Sequence, residues 1–376
     1  MHNAGHADHH RTKPGRGLRW EVGSLDRTGD TRGRNGSHTS NFEPRALNAD
    51  QQTLAEAVED GDPAKLLKLV DGLCGRLDWE ALVDLKARCR HAVDRGKQLW
   101  AVADHIEYRL ALEAPGMWAG PMVFEGAGRF TLGPLPEVAA SRHKWAELAP
   151  HLPEGPARAV TAYERVVRGE DLTTAPDIDP LVAELPLSLT EWEPVYAVAT
   201  YHADKAEFPA PPLPRMQELV LSNNPSPSAG DHESQDALLS LVRAWTDESN
   251  GRAEAASVHG DVTAAIRSLG PSRVRLEPVS PRVALALMAW TGASGGAYGR
   301  RTGAAAGRYG AWWTAAALSG LLEEWPVSPV DLGQAVSELN WYVWSDLVPP
   351  TGWTFHLAVE DPAHGLAWAI AAVDAK

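Results

Sequence analysis

SPRVALALMAWTGASGGAYGRRTGAAAGRYGAWWTAAALSGLL (Ser280–Leu322) is the stretch on which the fold turns. Ser280 followed by Pro281 is an N-cap with proline at the first helical position, and Gly292 is a stop, so Val283–Trp290 reads as a helix. The run Ala304–Leu322 is nearly all apolar or small and reads as a second, central helix. Arg308 within it, Arg300 and Arg301 upstream and Glu323 and Glu324 downstream oppose a membrane span, so it is expected to be the buried helix of a soluble, cytoplasmic chain. Between the helices lies a loop carrying five glycines and two arginines.

The helix before the loop counts against two catalytic readings of the same letters. Gly292–Gly296 satisfies G-x-S-x-G, the nucleophile elbow of the α/β-hydrolases, and Arg300–Ala305 echoes the R-x-x-G-x-A loop that cradles the pyrophosphate of acetyl-CoA. Each requires a strand immediately upstream. What remains is the physics of an anion site. Ser294, Gly295, Gly296, Gly299 and Gly303 allow backbone N–H groups to turn toward a ligand, the following helix presents its positive end, and Arg300, Arg301 and Arg308 offer charge-assisted contacts, the first two expected to be exposed. The competing reading is a plain helix–helix connection whose glycines permit close packing. A second polar cluster, WTDESNGR (Trp245–Arg252), offers Asp247 and Glu248 for acid–base work and Asn250 and Arg252 as ligand contacts, but turn chemistry favours a helix end followed by an Asn-Gly turn.

Working outward, the downstream residues predict a strand at Ala253–His259, a helix from the Asp261 cap to Gly270, a strand at Arg273–Glu277, two tryptophan-rich strands at Trp341–Asp346 and Trp353–Val359, and a terminal helix near Ala363–Val373. A helix is expected over Glu233–Trp245. Upstream, Asp62–Pro63 and Asp78 begin helices, a third runs about Lys97–Leu112, and others lie near Glu137–Leu148 and Pro156–Arg168. The short connections favour antiparallel neighbours. Between the two regions, prolines break the chain, Val195–Tyr201 and Glu218–Leu221 read as strands, and Pro209–Pro214 reads as a stiff spacer. The fold class expected is therefore α+β: a tail at 1–48, a helical-hairpin array at 49–170, a mixed segment at 171–232, and an α+β domain with a small, mostly antiparallel sheet at 233–376.

Composition narrows the partners. The net charge is −14, and because residues 1–50 hold eight Lys/Arg against six Asp/Glu, the remainder carries 27 against 43. A body so acidic repels nucleic acid and anionic membrane, leaving a protein partner or a small anionic ligand. Cys74 and Cys89 are too few for a zinc cluster or disulfide framework and read as buried thiols; no metal spacing such as HExxH or CxxC occurs, and no pattern names a cofactor. His2, His6, His9 and His10 belong to a polar, Gly- and Arg-rich start with no apolar periodicity and no secretory leader, which is expected to be disordered. Nine of the fifteen tryptophans fall between Trp245 and Trp368, placing the heavier aromatic core there.

Three passages, HKWAELAPHLPEGPARAVTAYERVVRGEDL (His143–Leu172), TGASGGAYGRRTGAAAGRYGAWW (Thr291–Trp313) and LAVEDPAHGLAWAIAAVDA (Leu357–Ala375), resemble an uncharacterised protein family of high-G+C bacteria, over most of the chain from about residue 50. The resemblance implies a cytoplasmic bacterial protein and a family-specific or misassigned start; it implies no activity, ligand or catalytic residue. Two classes of function follow from the residues: a binding or adaptor protein with an anion-binding Gly/Arg loop, or a transferase-like enzyme acting on a phosphorylated or CoA-linked small molecule.

Overall fold

The protein is described here by a computed structural model over residues 49–175, 178, 184–223, 226–348 and 352–375, and the tail expected at 1–48 lies outside them. The helical half begins where the caps put it. Helix α1 spans Ala49–Asp60 and α2 spans Pro63–Gly75, whose cap Asp62 accepts from the amides of Ala64 and Lys65. Helix α3 (Trp79–Asp94) starts at Asp78, which accepts from Ala81 N. Helix α4 (Trp100–Glu113) packs against both α2 and α3 and is buried over most of its surface. Its charged residues Asp104, Glu107 and Arg109 are buried too, and each is paired: Arg90 with Asp104 and Glu107, Arg109 with Asp71 and Glu113. Single turns α5 (Gly116–Ala119) and α7 (Trp145–Leu148) flank α6 (Leu135–Arg142), and α8 (Pro156–Val167) lies against α6. Cys74 and Cys89 are buried free thiols, as expected.

The middle segment holds less strand than its sequence suggests. Of the expected Val195–Tyr201, only β1 (Thr200–Tyr201) pairs, with β2 (Ala206–Glu207). Strand β3 (Gln217–Val220) joins the main sheet at its edge. The expected helix Glu233–Trp245 is broken at Leu241–Val242 into α9 (His232–Ser240) and α10 (Arg243–Asp247). Then follow β4 (Arg252–His259), α11 (Val262–Ser268), β5 (Arg273–Val279), α12 (Pro281–Ala293), α13 (Ala304–Leu318), α14 (Pro329–Glu338), β6 (Asn340–Ser345), β7 (Gly352–Asp361) and β8 (Leu366–Ala375).

The last of these corrects the sequence reading. LAWAIAAVDA forms a ten-residue strand between β7 and β4, not a helix. Both of its faces are covered, Trp368, Ile370 and Ala372 by the cluster under α12 and α13, and Ala367 and Ala369 by the cluster under α11. A strand buried on both sides loses the period-2 signature, and its alanines then imitate a helix.

The sheet has six strands in the order β3-β5-β6-β7-β8-β4, every pairing antiparallel. The fold is thus α+β, mainly helical toward the N-terminus and followed by antiparallel sheet. All described residues belong to one unit, Leu47–Lys376. Among the described residues no helix is long and apolar enough to cross a membrane.

Helices α12 and α13 pack on one another, and Gly307 lets their backbones approach closely. A Cβ there would overlap the Ala289 carbonyl oxygen of α12. The Gly/Arg loop is the link that turns the chain from one of these helices into the other.

Candidate functional site

Helix α12 runs to Ala293, so the residue before Ser294 is helical and neither an elbow nor a CoA-pyrophosphate loop is built. The loop then folds back on itself. Ser294 is buried; its hydroxyl accepts from Gly296 N at 3.0 Å and its carbonyl from the Trp245 indole at 3.3 Å. Gly295 and Gly299 lie backbone to backbone, leaving no room for a Cβ on either.

The loop amides do turn toward anions, and the anions are the chain's own carboxylates. Ala297 N donates to Asp374 Oδ2 at 2.6 Å, and Arg300 N to Glu248 Oε2 at 3.2 Å. Tyr298 N donates to Ser249 Oγ at 3.1 Å. The second polar cluster therefore meets the first through Glu248 and Ser249. Asp247, also exposed, accepts from its neighbour Thr246, while among the described residues no polar contact joins Asn250 or Arg252 to the loop.

At the start of α13 the same substitution of self for ligand occurs. Gly303 adopts φ 104° as the N-cap, a conformation that disfavours a side chain, and a Cβ there would also press on Glu164 Oε1. That oxygen accepts from Ala305 N at 2.8 Å, so Glu164 of α8 occupies the positive end of the helix. Arg301, whose side chain is only 8% exposed, forks onto Glu137 of α6 with two 2.8 Å hydrogen bonds and stacks over Phe208. Tyr201 donates to the same carboxylate at 2.7 Å, and Arg168 lies 3.8 Å from it while bonding Glu164 at 2.6 Å.

This buried clasp contains two carboxyls with opposed tendencies. Burial would raise the Glu137 carboxyl, but Arg301, Arg168 and Tyr201 outweigh it and hold Glu137 below the usual carboxylate range. Glu164 is pushed up to about 7, first by burial and then by the charge of Glu137, against the pull of Arg168 and the Ala305 amide.

Arg308 is a second inward-facing arginine. It is fully buried on α13, forks onto the buried Glu193 at 2.7 and 2.8 Å, and caps the carbonyls of Pro186 and Ser188. Glu193 also accepts from Tyr196, Thr190 and the Trp312 indole, a set that leaves the pair fully satisfied and ties the segment around residue 190 to the central helix.

Arg300 differs from both. It is exposed, and its guanidinium donates a 3.4 Å hydrogen bond to the Arg129 carbonyl. Arg129 stands 5.8 Å from the centroid of Phe130, which is 56% exposed and packs on Trp100 with ring centroids 4.0 Å apart. Two arginines and two aromatic rings thus come to one surface, with Tyr298, 59% exposed, on the same loop as Arg300. Arg300 and Tyr298 were in the quoted stretch, whereas Trp100, Arg129 and Phe130 carry no local signal that could have joined them to it. Asp374 was missed as well: it is buried, and its Oδ1 has no hydrogen-bond partner among the described residues.

Residues 64–376 match a family of unknown function, DUF6183, and the chain belongs to that family. No curated protein and no solved structure matches the chain. Among the described residues, no group of three or more His, Cys, Asp or Glu side chains is placed to hold a metal ion.

Proposed function

We propose that this protein is a binding module whose recognition surface is the outward side of the Gly/Arg loop together with the segment carrying Arg129 and Phe130, and whose partner presents an acidic segment. The carrying observation is the division of labour among the arginines. Arg301 and Arg308 are consumed by buried carboxylates of the chain, while Arg300 projects beside Arg129, Phe130 and Trp100. Arginine and large aromatic side chains dominate the energetics of protein interfaces, and a small positive patch on an otherwise acidic body steers an acidic partner to one place. Glu248, one of the two candidate acids, accepts from the Arg300 amide and so holds the loop in place.

The test uses two probes on the whole chain, an Asp/Glu-rich peptide containing Phe and inorganic pyrophosphate. Salt-sensitive peptide binding that weakens about tenfold in Arg300→Ala and in Phe130→Ala, with unchanged melting temperatures, supports the reading. Stabilisation by pyrophosphate alone replaces the protein partner with a small anion, and no response to either probe sinks the proposal.

A further inference from the structure

The Gly/Arg loop is fastened from beneath by two carboxylates that are not equally served. Glu137 of α6 and Glu164 of α8 both have side chains of 0% exposure. Glu137 receives the whole fork of Arg301 and the Tyr201 hydroxyl. Glu164 receives one guanidinium nitrogen of Arg168 and the Ala305 amide. The other terminal nitrogen of Arg168, Nη2, is buried, has no hydrogen-bond partner among the described residues, and stands 3.8 Å from Glu137 Oε1. Two arginines are thus divided unevenly between two buried acids, and Glu164 is left with the poorer share.

The groups facing Glu164 do not make up the shortfall. Helix α6 contributes Glu137, a like charge, and α8 contributes Arg168. Strand β1 contributes Tyr201 and the loop contributes Arg301, and both are already committed to Glu137. Helix α13 adds the amide of its first turn. A buried carboxyl that is short of donors and beside a like charge takes up a proton, which removes its charge instead of solvating it. Burial first and the Glu137 charge second raise the Glu164 carboxyl to about 7. Gly303, the last residue of the loop, lies so close that a Cβ would come within 2.7 Å of Glu164 Oε1, so loop and carboxyl cannot move independently.

We propose that Glu164 is a proton latch on the loop: protonated, it keeps the Ser294–Gly303 segment closed over α6 and α8, and losing its proton lets that segment open to water. An opened loop gives Glu164 water and returns its carboxyl toward the ordinary range. The closed loop therefore binds the proton more tightly than the open one, and raising the pH favours opening until Glu164 is ionised in both. Tyr298 and Arg300, both exposed, ride on the same segment, so the latch regulates the recognition surface. That consequence rests on the proposed binding role, whereas the latch itself does not.

Hydrogen–deuterium exchange of the full chain at about pH 5.5 and 7.5, corrected for the intrinsic pH dependence of exchange, tests the latch with no partner present. In the wild type, the amides of residues 294–305 should open about tenfold more often at the higher pH. In Glu164→Gln, whose amide keeps the shape of the protonated carboxyl, they should open equally at both. The slowly exchanging amides of α3 are the reference for opening of the whole unit. Infrared difference spectra of the wild type should show a buried carboxylic-acid band with its midpoint at about pH 7, a reading that stands even where the variant folds poorly. Equal opening of the wild-type loop at the two pH values, the same pH dependence in Glu164→Gln, equal acceleration in α3, or no acid band above the ordinary carboxyl range overturns the proposal. Because no partner is used, a failed latch and a failed recognition surface are separate results.

Discussion

Replacing Arg301 by alanine tests whether the loop's inward arginine is structural. The substitution removes both hydrogen bonds to Glu137 and the contact with Phe208, leaving a carboxylate of 0% side-chain exposure with Tyr201 and a 3.8 Å approach from Arg168. Breaking a buried pair by deleting one partner costs about 3–5 kcal/mol, because the remaining charge stays desolvated. For a unit spanning Leu47–Lys376 the entropy of unfolding near the midpoint is roughly 0.7 kcal/mol per kelvin, so the melting temperature should fall by about 4–7 °C. Arg300→Ala, one residue away but exposed, should move it by less than about 1 °C. Arg301→Lys keeps the charge without the planar fork and should fall between them. The double variant Glu137→Gln with Arg301→Met should recover much of the loss, since it leaves no uncompensated charge. Scanning calorimetry of the five proteins settles the matter. An Arg301→Ala protein melting within about 1 °C of wild type, or no more affected than Arg300→Ala, would refute a structural role for the clasp.

Glu164 makes a pH prediction with a definite sign. Its carboxyl is raised from 4.5 to about 7 in the folded chain, so the stability it contributes is fully present below pH 4.5 and is lost as pH rises through 7. Glu137 is depressed and acts oppositely, its contribution being lost as the medium becomes acidic. The melting temperature should therefore decline between about pH 5 and 8, and Glu164→Gln should flatten that decline; an identical slope in the variant would contradict the assignment. At the α12–α13 crossing, Gly307→Ala should destabilise by about 1–3 kcal/mol through overlap with the Ala289 carbonyl. Gly310→Ala, whose Cβ would meet only a Leu241 methyl at 3.1 Å, is the control, and equal melting of the two variants would show that the crossing relaxes freely.

What could be read from sequence was what local chemistry determines. Asp62, Asp78 and Asp261 each cap the helix they announce, and the helix read before Ser294, which counted against two catalytic motifs, is present. The loop between α12 and α13 could be read either as an anion cradle or as a plain connection, and its amides meet carboxylates of the chain itself. The identity of the carboxylates around the loop was not legible, because Glu137 and Glu164 are brought to it from α6 and α8 by tertiary packing that leaves no trace beside residue 300. For the same reason Arg301 and Arg308 look, as letters, like Arg300. The terminal strand escaped detection because it is covered on both faces, and the shortened β1 because its backbone finds a partner only at Thr200 and Tyr201.

The position of β8 between β7 and β4 has a consequence for how the molecule assembles. Strands β6, β7 and β8 follow one another as a meander and can zip up from nearby turns. Strand β4 pairs with β8 alone in the main sheet, Arg252 opposite Val373 and His259 opposite Leu366, across roughly 110–120 residues of intervening chain. Closing so long an excursion is slow compared with forming a hairpin. During that interval the free edge of β8, with the sequence LAWAIAAV, stands open to any other chain in the same condition. Refolding yield should therefore fall steeply with protein concentration, and the arrival of β4 is the event that ends the exposure.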